Sequence, residues 1–195
     1  MPMSTFGVIP TLSFRDVATV GLKPQAIFGI GSAVLLGSTF WHGFVGGPLA
    51  YTTVPRAQFR AIQEKTFPVL FTAQAGLSAT LLGFWFKLHP RVRTLDGFFD
   101  MAPDSLTAIS LAVMTLAGAA NLLAVGPAAT TVMNARVKQE EQEGKAHDQP
   151  GVSDKMKQLS AQFSKLHGIS SATNLVFVGA SLLAQALTSV YGVDA

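Results

Sequence analysis

Charged residues fall outside four long stretches of this chain. Residues 24–55, 66–86, 105–135 and 166–193 contain no Asp, Glu, Lys or Arg. A helix rises about 1.5 Å per residue, so about 20 apolar residues cross a hydrocarbon layer roughly 30 Å thick. Each stretch is long enough. Buried helices of a water-soluble α-protein would be equally apolar on one side, but they keep a charged outer face, and these have none. The pattern predicts an all-α, integral membrane four-helix bundle with spans at about 25–51, 67–86, 106–125 and 170–191. Lipid leaves no water to satisfy backbone groups, so helices are the spanning form such segments adopt. Small residues recur at helical spacing, at Gly29, Ala33 and Gly37, at Gly43 and Gly47, at Ala75, Ala79 and Gly83, and at Ala108 and Ala112. Such stripes let helix backbones approach closely in lipid and predict a compact bundle without a wide pore.

The polar remainder divides into an extramembrane N-terminal segment, 1–24, and the loops of a membrane domain, 25–191. The third loop, 126–169, is the sizeable one. Its first half, TTVMNARVKQEEQEGK, is rich in helix formers and continues the third span out of the membrane. Gly144, Pro150 and Gly151 break that helix, and Ser153 or Asp154 caps the next. Val152, Met156, Leu159, Phe163 and Leu166 then form a narrow apolar seam on a polar helix. A helical hairpin in the third loop is the expectation. The seam of the 152–166 helix can pack on the preceding helix, lie on the membrane surface or dock a protein partner.

Composition agrees with the span pattern: mean hydropathy is +0.38 and charged residues make up 13% of the chain. The net charge of +3 is spread over several loops, with no basic run of the kind that binds nucleic acid. Without cysteine there are no disulfides, thiolate metal ligands or Cys nucleophiles. Nine of the fourteen Lys and Arg fall in the first and third loops, which by the positive-inside rule places those loops in the cytosol and both termini on the far side. The first 24 residues lack a basic start followed by a clean apolar run, so no cleaved signal peptide is expected, and the first span serves as insertion signal. Lack of a transit-like N-terminus favours an intracellular endomembrane, with the mitochondrial outer membrane or plasma membrane left open. A homo-oligomer is also left open.

Polar side chains inside hydrocarbon are costly and face the bundle interior. Here they are His42, Gln74, Asn121, Asn174 and Gln185. None is a carboxylate or Lys, which argues against an ion-coupled pump. Asn and Gln at helix interfaces act chiefly as hydrogen-bonded glue. His42, with His167 at the membrane edge as helper, is the candidate for haem or metal ligation, but two His without Cys or an acidic partner make a poor site. Asp96, Asp100 and Asp104 cluster in the second loop without the Ca²⁺-loop pattern and read as solvated. Nucleophile elbow, zincin helix, phosphate loop and dinucleotide fingerprint are all missing, so no catalytic residue, metal site or cofactor is assigned.

Three stretches resemble the transmembrane protein 205-like family of small four-span membrane proteins. The first is Trp41-His-Gly-Phe44-Val45 leading to Val54-Pro55-Arg56, Phe59, Gln63 and Thr66-Phe67-Pro68; the second is Asn121, Gly126-Pro127, Thr130-Thr131, Met133 and Arg136. The third is Phe163, Lys165-Leu166-His167-Gly168-Ile169-Ser170-Ser171 and Asn174. The resemblance covers about 30–180 and implies a multi-pass protein of intracellular or plasma membranes, associated with drug tolerance and with no accepted reaction. On that likeness Arg56, Arg136 and His167 gather at the cytosolic interface, as a clamp on helix ends or as a ligand or lipid-headgroup site. Pro55 breaks the first helix and frees Arg56 for carbonyls, Thr130 or a lipid phosphate, while Gly168 permits a bend or close approach. A non-enzymatic protein acting through membrane lipids or protein partners is the leading functional expectation. The alternatives are a small transporter or channel for an uncharged or lipophilic solute, lined by His42, Gln74, Asn121 and Asn174, and a haem- or metal-binding redox protein.

Overall fold

A computed structural model describes residues 12–193, so the part of the N-terminal segment before Leu12 lies outside the described residues. Among the described residues all regular structure is helical. A short α1, Phe14–Thr19, is held by a reciprocal capping box between Ser13 and Asp16. The first span is α2, Pro24–Phe40, continued by a π-helical stretch, Trp41–Gly46, into α3, Gly47–Thr53. After a two-residue turn, α4 runs unbroken from Arg56 to Leu88, so the second helix begins well before the span edge expected at Phe67. A short connection containing α5, Leu95–Phe98, leads to α6, Pro103–Ala120. A second π-helical stretch, Asn121–Val125, joins α6 to α7, Gly126–Glu143, and α8 runs from Asp154 to Tyr191.

These helices supply four segments long and apolar enough to cross a membrane, as the charge pattern predicts. α6 packs on both α4 and α8, and α2 lies against the same two helices. Between them sits a dry core of Phe28, Leu35, Leu81, Trp85, Leu111, Met114 and Phe177. Ile30, Val69, Leu116, Leu123 and Val176 point outward, the exposure that a lipid-facing surface requires. The expected small-residue stripes are mostly not contacts: a Cβ on Gly29, Gly37, Gly43 or Gly83 would meet nothing within 4 Å. The closest approach between spans is at Gly118, where a Cβ would fall 2.6 Å from the backbone nitrogen of Ala75 on α4.

The hairpin forms as expected. Gly144 ends α7 in the left-handed region at φ 62°, and Ser153 Oγ accepts from the Met156 N–H to start α8. Glu143 ties the two ends together, accepting from Ser153 N at 3.1 Å and from Ser153 Oγ at 2.5 Å. The seam faces inward, with Met156 fully buried, and α8 packs on α7. Gly168 neither breaks α8 nor admits a neighbour; the helix continues through it, and a Cβ there would meet open space. One interior glycine costs about 1 kcal/mol, too little to break a helix of 38 residues.

The first and third spans also share a local sequence. Gly47-Pro48 followed by Thr52-Thr53-Val54 and Arg56 corresponds to Gly126-Pro127 followed by Thr130-Thr131-Val132 and Arg136. The π-helical stretch precedes the Gly-Pro pair in both. Proline has no N–H to give and its ring crowds the preceding turn, which favours a slip of one residue at these two places, whereas Pro68 lies inside α4 without one. Gly47 N–H bonds back to His42 O and Gly126 N–H to Asn121 O, each five residues earlier.

Candidate functional site

The polar groups of the spans assemble in layers. The uppermost is centred on Gln74, which is fully buried on α4. Its Nε2 donates to Thr39 Oγ1 at 3.0 Å and to Asn174 Oδ1 at 3.1 Å, joining three of the four spans. Ser78, one turn along α4, donates to the Gln74 carbonyl, and Thr115 Oγ1 of α6 lies 3.2 Å from Ser78 Oγ, which brings in the remaining span. Gln74 and Asn174 are thus placed together, as their depth in the sequence suggests.

One turn toward the hairpin lies a second layer. Asn121, also fully buried, reaches the Ser170 carbonyl with Nδ2 at 3.5 Å. Ser170 and Asn174 are one turn apart on α8, so Asn121 and Gln74 address neighbouring positions of one stripe. Across this layer the His42 ring meets Phe67 edge-on at 4.9 Å, and Phe67 stacks on Phe71 at 5.3 Å. Gln63 follows below, its Nε2 3.8 Å from where a Cβ on Gly47 would stand. Gln185, by contrast, is half-buried on α8, where its carbonyl accepts from Thr188.

Several of these groups are incompletely satisfied. Gln74 Oε1, Asn121 Oδ1, Gln63 Oε1 and His42 Nε2 are buried without a hydrogen bond of good geometry. An acceptor left unpaired in a buried place costs about 1–3 kcal/mol, so the three amide oxygens gathered along one wall of the bundle are a notable debt.

The hairpin-side cluster differs from its sequence-based expectation. Arg56 does not take Thr130 or a helix carbonyl; it forms a two-pronged pair with Asp148, at 2.9 and 2.8 Å. The guanidinium holds the exposed Asp148 carboxyl down to about 2. Arg136 lies with its guanidinium carbon 4.5 Å above the Phe163 ring, and His167 stacks beside that ring at 5.9 Å. Arg136 Nε is buried without a partner. Arg136 and His167 are therefore brought together through an aromatic ring, whereas Arg56 is engaged by the hairpin turn. Glu140 completes the turn, accepting from His147 N at 3.0 Å and bonding its Nδ1 at 2.7 Å.

On the far side the second loop is more ordered than a solvated acidic cluster. Asp100 and Asp104 both pair with Arg91, and Trp85 Nε1 donates to the Asp104 carbonyl at 2.8 Å. His89 is buried, stacked on Trp85 at 4.1 Å, with Nε2 2.8 Å from Val193 O. Sequence reading missed Thr39, Ser78, Asp148 and this far-side knot, and gave Gln63 no role beyond the resemblance. The signal available for the interior layers was the repeated Gly-Pro pair, which marks where each span slips.

No curated protein and no solved structure matches the chain. One family model does, that of a domain of unknown function, DUF4149, over residues 30–138. The matched stretch spans both Gly-Pro pairs, Gln74, Asn121, Arg56 and Arg136, while Phe163, His167, Ser170 and Asn174 come from beyond it. More than half the chain is covered, and the chain belongs to the family defined by this domain of unknown function, DUF4149.

Proposed function

We propose that this multi-pass protein is of the transmembrane protein 205-like type, is not an enzyme, and acts by binding anionic lipid headgroups on its hairpin side, the cytosolic side of an endomembrane. The observation that carries this reading is Arg136. It is propped on an aromatic ring with a buried, unpartnered Nε, and of the charges that act on it Glu140 comes first, followed by Arg60, Arg56 and Asp148. Arginine in such a setting offers a planar fork to a phosphate. Each basic residue near an anionic surface is worth about 1 kcal/mol, a factor of about five in affinity. Native mass spectrometry of detergent-purified protein, titrated with phosphatidylserine or phosphatidylcholine, tests it. Wild type retains the anionic lipid in preference, and Arg136→Gln loses about fivefold of that binding. Equal retention of both lipids, unmoved by the substitution, sinks the proposal.

A second reading, passage of a small uncharged solute, draws support from the Gln74 network, which links all four spans through neutral groups. Its measure is solute flux into proteoliposomes, lost in the Asn121→Leu, Asn174→Leu double variant if the track conducts.

A further inference from the structure

Two spans slip at corresponding places, and the polar groups left without partners lie beside the slips. His42 opens one π-helical stretch and Asn121 opens the other. In the shared Gly-Pro alignment these two residues are equivalents, and both carry a buried polar side-chain atom without a hydrogen bond of good geometry, His42 with Gln63 as its polar neighbour. Both slips face the same wall of α4: the His42 ring contacts Phe67, and a Cβ on Gly126 would stand 3.4 Å from the Phe71 ring. Gln74 and Gln63 flank that aromatic pair above and below, each more than nine-tenths buried and each with its amide oxygen unpaired.

Gly/Pro-interrupted spans at corresponding positions of two halves are where membrane proteins build internal sites, because the freed backbone can face a polar cavity. The lining is uncharged and carries the unpaired amide oxygens of Gln63, Gln74 and Asn121. Gln63 to Gln74 spans about 16 Å along α4 at the usual helical rise. Acceptors so spread do not converge on one ion, which needs its oxygens within about 2.6 Å of a single point. They match a file of small neutral donors.

We propose that the interface between the two slipped spans, α4 and α8 is a one-sided aqueous inlet. Water enters it from the hairpin side as far as Gln74, hydrogen-bonding in turn to Gln63, His42, Asn121 and Gln74. The far side is closed by the dry core around Phe28, Leu35, Trp85 and Leu111. The inference is independent of lipid binding and narrower than solute passage, since it concerns access and not flux.

The chain has no cysteine, so single thiols can be introduced without background. A thiol reacts as thiolate, which forms only where water reaches it. Asn121→Cys and Leu123→Cys sit two residues apart, the first fully buried and the second 76% exposed toward lipid. In sealed vesicles of known orientation, a membrane-impermeant thiosulfonate applied on the hairpin side should modify Asn121→Cys at least tenfold faster than Leu123→Cys. Applied on the far side it should modify neither. Ser170→Cys, which keeps the main-chain carbonyl that Asn121 uses, reads the same layer if Asn121→Cys fails to fold. Equal rates at the buried and lipid-facing positions, or labelling of the buried position from the far side, would overturn the inlet. Either result leaves the flux assay untouched, so the two ideas fail separately.

Discussion

Glycine 118 shows how much rests on one missing side chain. A Cβ there would lie 2.6 Å from Ala75 N and 2.9 Å from Gln74 C, both backbone atoms of α4, which cannot swing away as a side-chain tip can. Gly118→Val must therefore push α6 from α4, with a cost at the upper end of the 1–3 kcal/mol typical of overpacking, or more. The same change at Gly37, whose Cβ direction is open, should be nearly neutral. Thermal or denaturant unfolding of the two variants in one detergent checks the contrast, and equal loss would show that the α4–α6 crossing is not the tight one. Sequence spacing drew attention to Gly29, Gly37 and Gly83, because repeats at helical intervals are easy to see. Gly118 belongs to no such stripe. A glycine's neighbour is a property of packing, and the chain alone does not state it.

The elements were more legible than their interiors. Charge-free stretches located the spans because charge in hydrocarbon is costly whatever the packing. Gly144 and Ser153 located the hairpin because their backbone roles are local. Span edges read less well: α4 and α8 carry charged turns outside the membrane with no change of helical state, so loss of hydropathy did not mean loss of helix. The register slips were the least legible, although Gly-Pro names their place twice. Their chemistry gives a test. Gly126→Ala places a Cβ 2.6 Å from Asn121 O and against Phe71, and should destabilise by about 1–3 kcal/mol. Pro127→Ala restores an N–H and removes the ring, so stability should hold or rise. Unfolding midpoints of the pair decide it; loss on Pro127→Ala with none on Gly126→Ala would mean that the slip is imposed by packing and not by proline.

At the scale of the whole molecule, Arg56 and Asp148 tie the first loop to the hairpin turn across 92 residues of sequence. The pair fixes the tip of the hairpin over the start of α4, and so fixes where Arg136 and Phe163 stand. Its pH dependence follows from the carboxylate. Asp148 falls from an ordinary value of 3.8 to about 2 in the folded protein. A carboxyl lowered by folding contributes stability above its unfolded value and loses it as pH falls through the folded one. The tether is therefore complete above about pH 4 and released between roughly 4 and 2. Both side chains are exposed, so the consequence is local and not global unfolding. Hydrogen exchange in the 144–153 turn should accelerate across that interval, while the α6 core stays protected. Asp148→Asn should show the fast turn already at pH 7, keeping only the acid step that comes from protonating Glu143 and Glu140. If the turn of Asp148→Asn keeps wild-type protection at pH 7, the hairpin is held by the Glu143–Ser153 and Glu140–His147 bonds alone, and Arg56 is then free to serve a lipid phosphate. The same pair thus sets how many arginines the hairpin side offers: Arg136 and Arg60 while Asp148 is ionised, and Arg56 as a third when it is not.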